Sequence, residues 1–365
     1  MKNLLFIVLS FFASFIYAQN QRYVSSIEDA LKNPETVVSL ELRNKGYTEI
    51  PKEILKCKNV MYLDISHNEI SELPRWLFRL KHLTVLSVAD NSLTNIPKQI
   101  KKLTFLEVLN LNNNQITQLP ESIGELHTLK KIHVLNNQLT ALPESFKNLT
   151  NLRDIVLQSN KLCSFPDQIL YNSRLVSLSL SNNPIQTIPD AFHKLTLLEE
   201  LYVSNCRLDT LPSSIGLLQR LTILDVSSNK LTFLPEELSQ LQQLKNAYFQ
   251  NNKLRTLPFS IGQLSELEIL FIYNNNISQL PLSFVQLNYL FELHMYNNSF
   301  NQLPKVLTKM ESIQNLYIDY MFLEQSEKML QAMQLNILGV YGTSDVSKQR
   351  LHSFEKKIPS VKFYD

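Results

Sequence analysis

Asp64, Ser66, His67 and Asp90 are the residue types that acyl transfer uses: a hydroxyl nucleophile, an imidazole base and carboxylates to orient it. The trio Asp64, His67 and Asp90 has the donor atoms of a metal site. Neither chemistry follows from residue types alone. Acyl transfer also needs an oxyanion hole and a pocket that excludes water. A neighbourhood rich in Ser and Asn produces such trios without any catalytic arrangement. The chain holds only 6 Gly against 15 Pro, and its 3 Cys form no CxxC pair. Phosphate loops and nucleophile elbows consume glycine, and no Gly-rich phosphate loop or dinucleotide fingerprint is present. The chain is therefore expected to be no enzyme, to hold no metal and to need no cofactor.

A different set recurs at a fixed interval. Tyr202, Asp225, Tyr248, Phe271, His294 and Tyr317 follow one another at constant spacing, Tyr273 and Tyr296 add a second series, and Phe291 and Tyr320 flank them. A fixed interval means one place in successive copies of a unit. The unit is visible elsewhere in the chain. Twelve Leu/Ile/Phe-Pro dipeptides end at Pro51, Pro74, Pro97 and so on at the same spacing to Pro304, without an insertion. Aligned on them, the chain reads LxxLxLxxNxLxxLPxxIxxLxx from residue 37 to 312, with a degraded thirteenth copy from Ile313.

In this pattern LxLxx alternates with period two, so it is a short strand with Leu inward. One such strand cannot bury its apolar face, but stacked copies form a parallel sheet over a continuous core. The x positions 2, 3, 5, 7 and 8 then face outward. In the first half these are small and polar, among them Asp64, Ser66, His67, Ser87, Asp90, Asn110, Asn112 and His133. In the second half they carry the aromatic series, which the Leu core does not explain. Asn68, Asn91, Asn114, Asn137, Asn160, Asn183, Asn229, Asn252, Asn275 and Asn298 stand where the chain leaves the strand. They are expected to form a ladder serving backbone groups otherwise buried without partners. Lys45, Cys206 and Met321 replace the Asn in three copies.

These residues make the chain resemble the leucine-rich-repeat family, in its 23-residue LPxxIxxL class, with bacterial exported members among the relatives implied. The resemblance implies an α/β solenoid: a curved horseshoe with a parallel concave sheet and short extended, 3-10 or helical convex segments. It also implies ligand contact through the concave face, here Tyr202, Tyr248, Phe271, Tyr273, Phe291, His294, Tyr296, Tyr317 and Tyr320.

Composition and termini complete the expectations. A net charge of +2, 19% charged and 44% hydrophobic residues exclude a disordered chain and a polybasic nucleic-acid binder. Residues 1–18 read as a signal peptide, with Lys2 followed by the apolar stretch Leu4–Ile16, too short to span a bilayer. Residues 19–36 are expected to cap the repeats with a short helix, Ser25 and Glu28 forming a capping box. Residues 313–365 are expected to cap the other end, with helices at 326–333 and 346–357 and strands at 335–341 and 361–364. The partner expected is a protein, with a glycan as the alternative, no nucleic acid and no membrane span once the signal is removed. An exported scaffold follows; a Ras-group-like cytoplasmic scaffold follows instead if the N-terminus is not a signal.

Overall fold

A computed structural model describes residues 22–364. The expected signal segment lies outside the described residues. The chain divides into two compact units, Met1–Lys161 and Leu162–Asp365.

In the N-terminal unit, β1 (Arg22–Val24), β2 (Val37–Glu41), β3 (Tyr62–Asp64), β4 (Val85–Ser87), β5 (Val108–Asn110), β6 (Lys131–His133) and β7 (Asp154–Val156) lie side by side in chain order, all parallel. In the C-terminal unit the same holds for β8 (Ser177–Ser179), β9 (Glu200–Tyr202), β10 (Ile223–Asp225), β11 (Asn246–Tyr248), β12 (Ile269–Phe271), β13 (Glu292–His294), β14 (Asn315–Asp319), β15 (Ile337–Tyr341) and β16 (Val361–Phe363). Each unit is thus a leucine-rich-repeat solenoid. The uninterrupted repeat spacing sets the register, so Asn110 lies beside His133 and Phe271 beside His294.

The apolar positions of the repeat are buried along their whole length, as Leu106, Leu109, Leu111, Ile116, Leu119, Ile123 and Leu126 show for one copy. Each Leu/Ile/Phe-Pro leads into a 3-10 turn such as Glu121–Glu125, where Pro120 enters at φ −71° and ψ 150°. Proline suits this place, because it fixes that φ and its missing N–H is not needed at a helix start.

The Asn side chains knit neighbouring repeats. Asn114 Nδ2 donates to Val88 O, Leu111 O and Asn112 O at 3.0–3.1 Å, and its Oδ1 accepts from Leu93 N at 2.9 Å. Asn252 makes the equivalent bonds to Val226 O, Phe249 O, Gln250 O and Leu231 N. Cys206 offers only thiol contacts to Leu180 O and Ser204 O at 3.7 and 3.6 Å. Cys57 is buried in a Leu position and Cys163 is exposed, and neither forms a disulfide.

Position 8 has a role that the strand pattern does not announce. In all twelve full repeats, from Asn44 to Asn297, this residue has a φ between +48° and +58°. Ten copies use Asn, Asp or His and two use Ser, and the first three tolerate the left-handed region best among non-glycine residues. The turns that most proteins give to glycine are made here by Asn, which accounts for the low Gly count.

Both ends depart from expectation in detail. The N-terminal helix α1 (Ile27–Ala30) is capped by Ser26, not Ser25, and the Ser26 Oγ accepts from Asp29 N at 3.0 Å. Strand β1 precedes it, too short for periodicity to reveal. At the C-terminal end, α2 (Tyr320–Gln325) and α3 (Glu327–Ala332) precede β15, and α4 (Lys348–Lys357) precedes β16. Helix α2 was not expected. None of the helices among the described residues is long and apolar enough to cross a membrane.

Candidate binding surface on the second unit

The quartet Asp64, Ser66, His67 and Asp90 does not assemble into a catalytic arrangement. Asp64 Oδ1 accepts from Ser66 N at 2.9 Å, and its other oxygen lies 3.6 Å from Arg43 Nε. His67 and Asp90 both occupy left-handed turns, with His67 Nε2 3.5 Å from Asp90 Oδ2. Asp90 also accepts from Asn113 Nδ2 at 2.7 Å, so both carboxylates serve neighbouring groups of the scaffold. No group of three His, Cys, Asp or Glu among the described residues is placed to hold a metal ion.

The aromatic series does come together. Position 5 of each strand projects from the solvent face, and parallel pairing sets consecutive position-5 residues side by side. Tyr248 meets Phe271 edge to face at 5.2 Å between ring centres, Phe271 lies 3.9 Å from His294, and His294 stacks on Tyr317 at 3.8 Å. Position 7 builds a second row. Tyr273 stacks on Tyr296 at 4.6 Å and 9°, Tyr296 on Tyr341 at 3.8 Å and 11°, and Tyr341 on Tyr364 at 5.0 Å and 16°. All eight rings are half-buried.

Tyr341 and Tyr364 escaped the sequence pattern for a definite reason. His294 and Tyr317 are one full repeat apart, but Tyr317 pairs with Gly339, one position short of the next full repeat. Continuing the regular grid would put Gly339 on the Leu face, because a one-residue slip exchanges the faces of a strand. With the true register Tyr341 falls beside Asp319 and joins the aromatic row. Gly339 is also where Tyr317 finds its place. A Cβ there would stand 2.0 Å from the Tyr317 ring, so only glycine leaves room for it.

Three of the expected residues stay outside the stacks. Tyr202 is half-buried but separated from Tyr248 by Asp225, and Phe291 makes no ring contact among the described residues. Tyr320 turns to the C-terminal helices, meeting Phe354 edge-on at 6.2 Å and donating to Glu324 Oε1 at 2.6 Å.

Electrostatically the surface is neutral at its centre and acidic around it. Burial lowers the His294 pKa, against the pull of Glu292, whose Oε1 lies 2.8 Å from its Nε2. The imidazole is therefore uncharged at neutral pH, with Phe271 on one face and Tyr317 on the other. Burial also pushes the phenols of Tyr248, Tyr273, Tyr296 and Tyr317 above the usual tyrosine range, Tyr296 furthest. They remain protonated. Asp319, between Tyr296 and Tyr341 in the strand order, turns to accept from Asn297 N at 2.8 Å, and burial raises its pKa.

Comparison with known proteins agrees with this architecture. A family model described as "Leucine-rich repeat region" matches residues 77–170 and 236–357. A second, "Leucine rich repeat", matches 35–93 and 150–208, and a single repeat matches 220–241. Among solved structures, a leucine-rich-repeat protein of Leptospira interrogans is similar at TM-score 0.77 and 26% identity, covering 94% of this chain and all of that one (100%). The plant peptide hormone receptor RGFR1, in complex with RGF2, is similar at TM-score 0.64 and 26% identity, over 84% of this chain and 56% of that one. The functional domain of InlJ from Listeria monocytogenes, which includes a cysteine ladder, shares the fold at TM-score 0.69 and 22% identity, over 85% of this chain and 69% of that one. No curated protein matches the sequence.

Proposed function

This chain belongs to the leucine-rich-repeat family, and from that premise we propose that it is an exported, non-catalytic scaffold that contacts a protein partner through the sheet face of its second unit. Scaffolds of this family typically bind proteins or peptides, as the receptor solved with RGF2 does. The observation that carries the choice of surface is the pair of aromatic rows. Half-buried Tyr, Phe and His on the solvent side of a sheet have no core to fill, and Tyr-rich patches are where interface energy concentrates.

The stacking favours a protein over a glycan. Tyr296, Tyr341 and His294 each have a ring on both faces. Sugar rings need open aromatic faces, whereas the inner rings of these stacks have theirs covered. Stacked tyrosines suit the mixed apolar and polar contacts of a protein surface.

Photo-crosslinking tests the reading. With p-benzoylphenylalanine in place of Tyr248, the full chain should form protein adducts that are absent when the probe replaces Ser87 in the first unit. The folded Tyr248→Ala, Tyr273→Ala variant should lose the partner. Equal adducts from both positions, or unchanged capture by that variant, would sink the choice of surface. Loss of binding on adding soluble oligosaccharides would assign a glycan instead. N-terminal sequencing of the mature protein should start at Gln19 if it is exported as proposed.

A further inference from the structure

We propose that the aromatic sheet face of the second unit takes a basic, extended segment of its partner, whose arginines reach Asp225 and Glu292. This rests on the reading of that face as the contact surface and adds the chemistry of its occupant.

Four carboxylates of this unit have hydrogen-bond donors but no lysine or arginine partner. Asp225 accepts from Ser227 N and Oγ at 3.0 and 2.6 Å, and Glu292 accepts from Asn315 Nδ2 at 3.3 Å besides its contact with His294. Glu200 takes the Ser177 hydroxyl and Asp319 the Asn297 amide. Among the described residues, no lysine or arginine lies within 4.0 Å of any of these four. The nearby imidazole does not compensate Glu292, since burial holds His294 neutral at ordinary pH.

The first unit shows that the scaffold has no rule against pairing such groups. There, Asp64 has Arg43, Glu107 has Lys130, and Asp154 has both Lys131 and His133. A carboxylate partly withdrawn from water and met only by neutral donors is under-compensated, and a cation arriving from outside completes it. The net charge of the whole chain is +2, so the attraction is local to this face.

Arginine fits better than lysine. The groups this face offers are carboxylate oxygens and phenolic hydroxyls, and a guanidinium supplies five donors in a planar fork with no acceptor to leave unpaired. Because the faces of Tyr296, Tyr341 and His294 are covered by neighbouring rings, the contact runs through oxygens and not through a cation seated on a ring.

Strand order sets the spacing. Asp225 on β10 is in register with His294 on β13, three strand steps away, and Glu292 stands two residues before His294. The two carboxylates are offset by about 14 Å across the strands and about 7 Å along them, or about 16 Å in all. A segment crossing the strands in extended form advances ~3.3 Å per residue, so side chains at i and i+4 share a face about 13 Å apart. The roughly 3 Å that remain are within the reach of two long arginine side chains, so the occupant carries arginines four residues apart.

The test uses the full chain and fluorescein-labelled ten-residue peptides of Ser and Thr, read by anisotropy. A peptide with arginines at its fourth and eighth positions should bind, and more weakly as salt rises. Replacing both arginines with Gln should weaken binding about tenfold or more, and placing them side by side about fivefold. Asp225→Asn and Glu292→Gln keep an acceptor oxygen for their present donors and should each cost the two-arginine peptide about fivefold with the thermal midpoint unchanged. Equal binding of the arginine and Gln peptides, no binding up to about 1 mM, or indifference to both substitutions overturns the basic occupant. Equal binding of the adjacent-arginine peptide overturns the spacing. If either result comes while crosslinking at Tyr248 persists, the surface stands and only its occupant is wrong; if crosslinking at Tyr248 fails as well, both fall.

Discussion

The two units share one backbone and differ in what the sheet shows to solvent. In the first, the outward positions hold mostly small polar residues, and several of the charges among them are paired, such as Asp64 with Arg43 and Asp154 with His133 and Lys131. In the second, Glu268 is paired with Lys245, but positions 5 and 7 hold stacked rings bordered by Asp225, Glu292 and Asp319, which have no lysine or arginine beside them. The inward Leu, the Asn and the Pro are common to both. The repeat therefore separates its duties by position: 1, 4, 6, 9, 11, 14 and 15 make the solenoid, and 5 and 7 are free to vary. An outward face whose charges are internally satisfied has little left to offer a partner. One that leaves them open is built for something else to complete.

If the scaffold is common, breaking it should cost the same in either unit. Asn114→Ala and Asn252→Ala each remove one acceptor and several donor contacts from buried backbone. Stranding buried polar groups costs about 1–3 kcal/mol apiece, so each variant should lose roughly 3 kcal/mol. Amide exchange should accelerate first at Leu93 in one and at Leu231 in the other, the two amides those side chains accept from. A large cost in one unit and almost none in the other would mean that the repeats are not energetically equivalent.

A substitution confined to the aromatic unit should act more mildly and on the site alone. Gly339→Ala places a Cβ 2.0 Å from the Tyr317 ring, which must leave its stack on His294. The expected cost is about 1–2 kcal/mol, typical of a local overpacking. The sharper readout is His294. Burial keeps its pKa low, so uncovering one face should raise the pKa towards the ordinary histidine value, visible by NMR titration. An unchanged titration would show that Tyr317 does not cover the imidazole.

Much of this was legible in the sequence, and the rest was hidden for physical reasons. Leu spacing and the Pro grid specify strand, core and register because side-chain direction in a strand has period two and the repeat tolerates no insertion. The aromatic rows follow from the same grid as far as Tyr317. Beyond it the step to the next strand is one position shorter, and Tyr341 and Tyr364 fell out of sight, since periodicity carries no information once the period breaks. The fate of His67 and Asp90 was equally hidden. Their residue types say only that they are polar and face outward, whereas the left-handed backbone at position 8 is decided by sterics, and only twelve repetitions of the same φ make it plain. Tyr320 misled for a related reason: a helix begins there and carries the ring away from the sheet.

The smallest expected effect sets one carboxylate of each unit against the other, with opposite signs. In the first unit, burial raises the pKa of Asp154, but the hydrogen bond and charge of His133 and the charge of Lys131 outweigh it, and the net shift is downward. A depressed pKa stabilises the fold above the unfolded-state value, and that contribution disappears as pH falls through the folded-state value. In the second unit, burial dominates at Asp319 and the pKa is raised. The ionised form then costs stability, present at neutral pH and relieved when acid protonates the group. Asp154→Asn should therefore lower the thermal midpoint at pH 7 and Asp319→Asn should raise it, each by a few degrees at most. Both differences should vanish on acidification, where wild type and variant alike carry a neutral side chain. Melts across pH check this directly. A loss of stability in both variants at pH 7 would mean that Asp319 is compensated within the fold, and would remove one of the open carboxylates that distinguish the second unit.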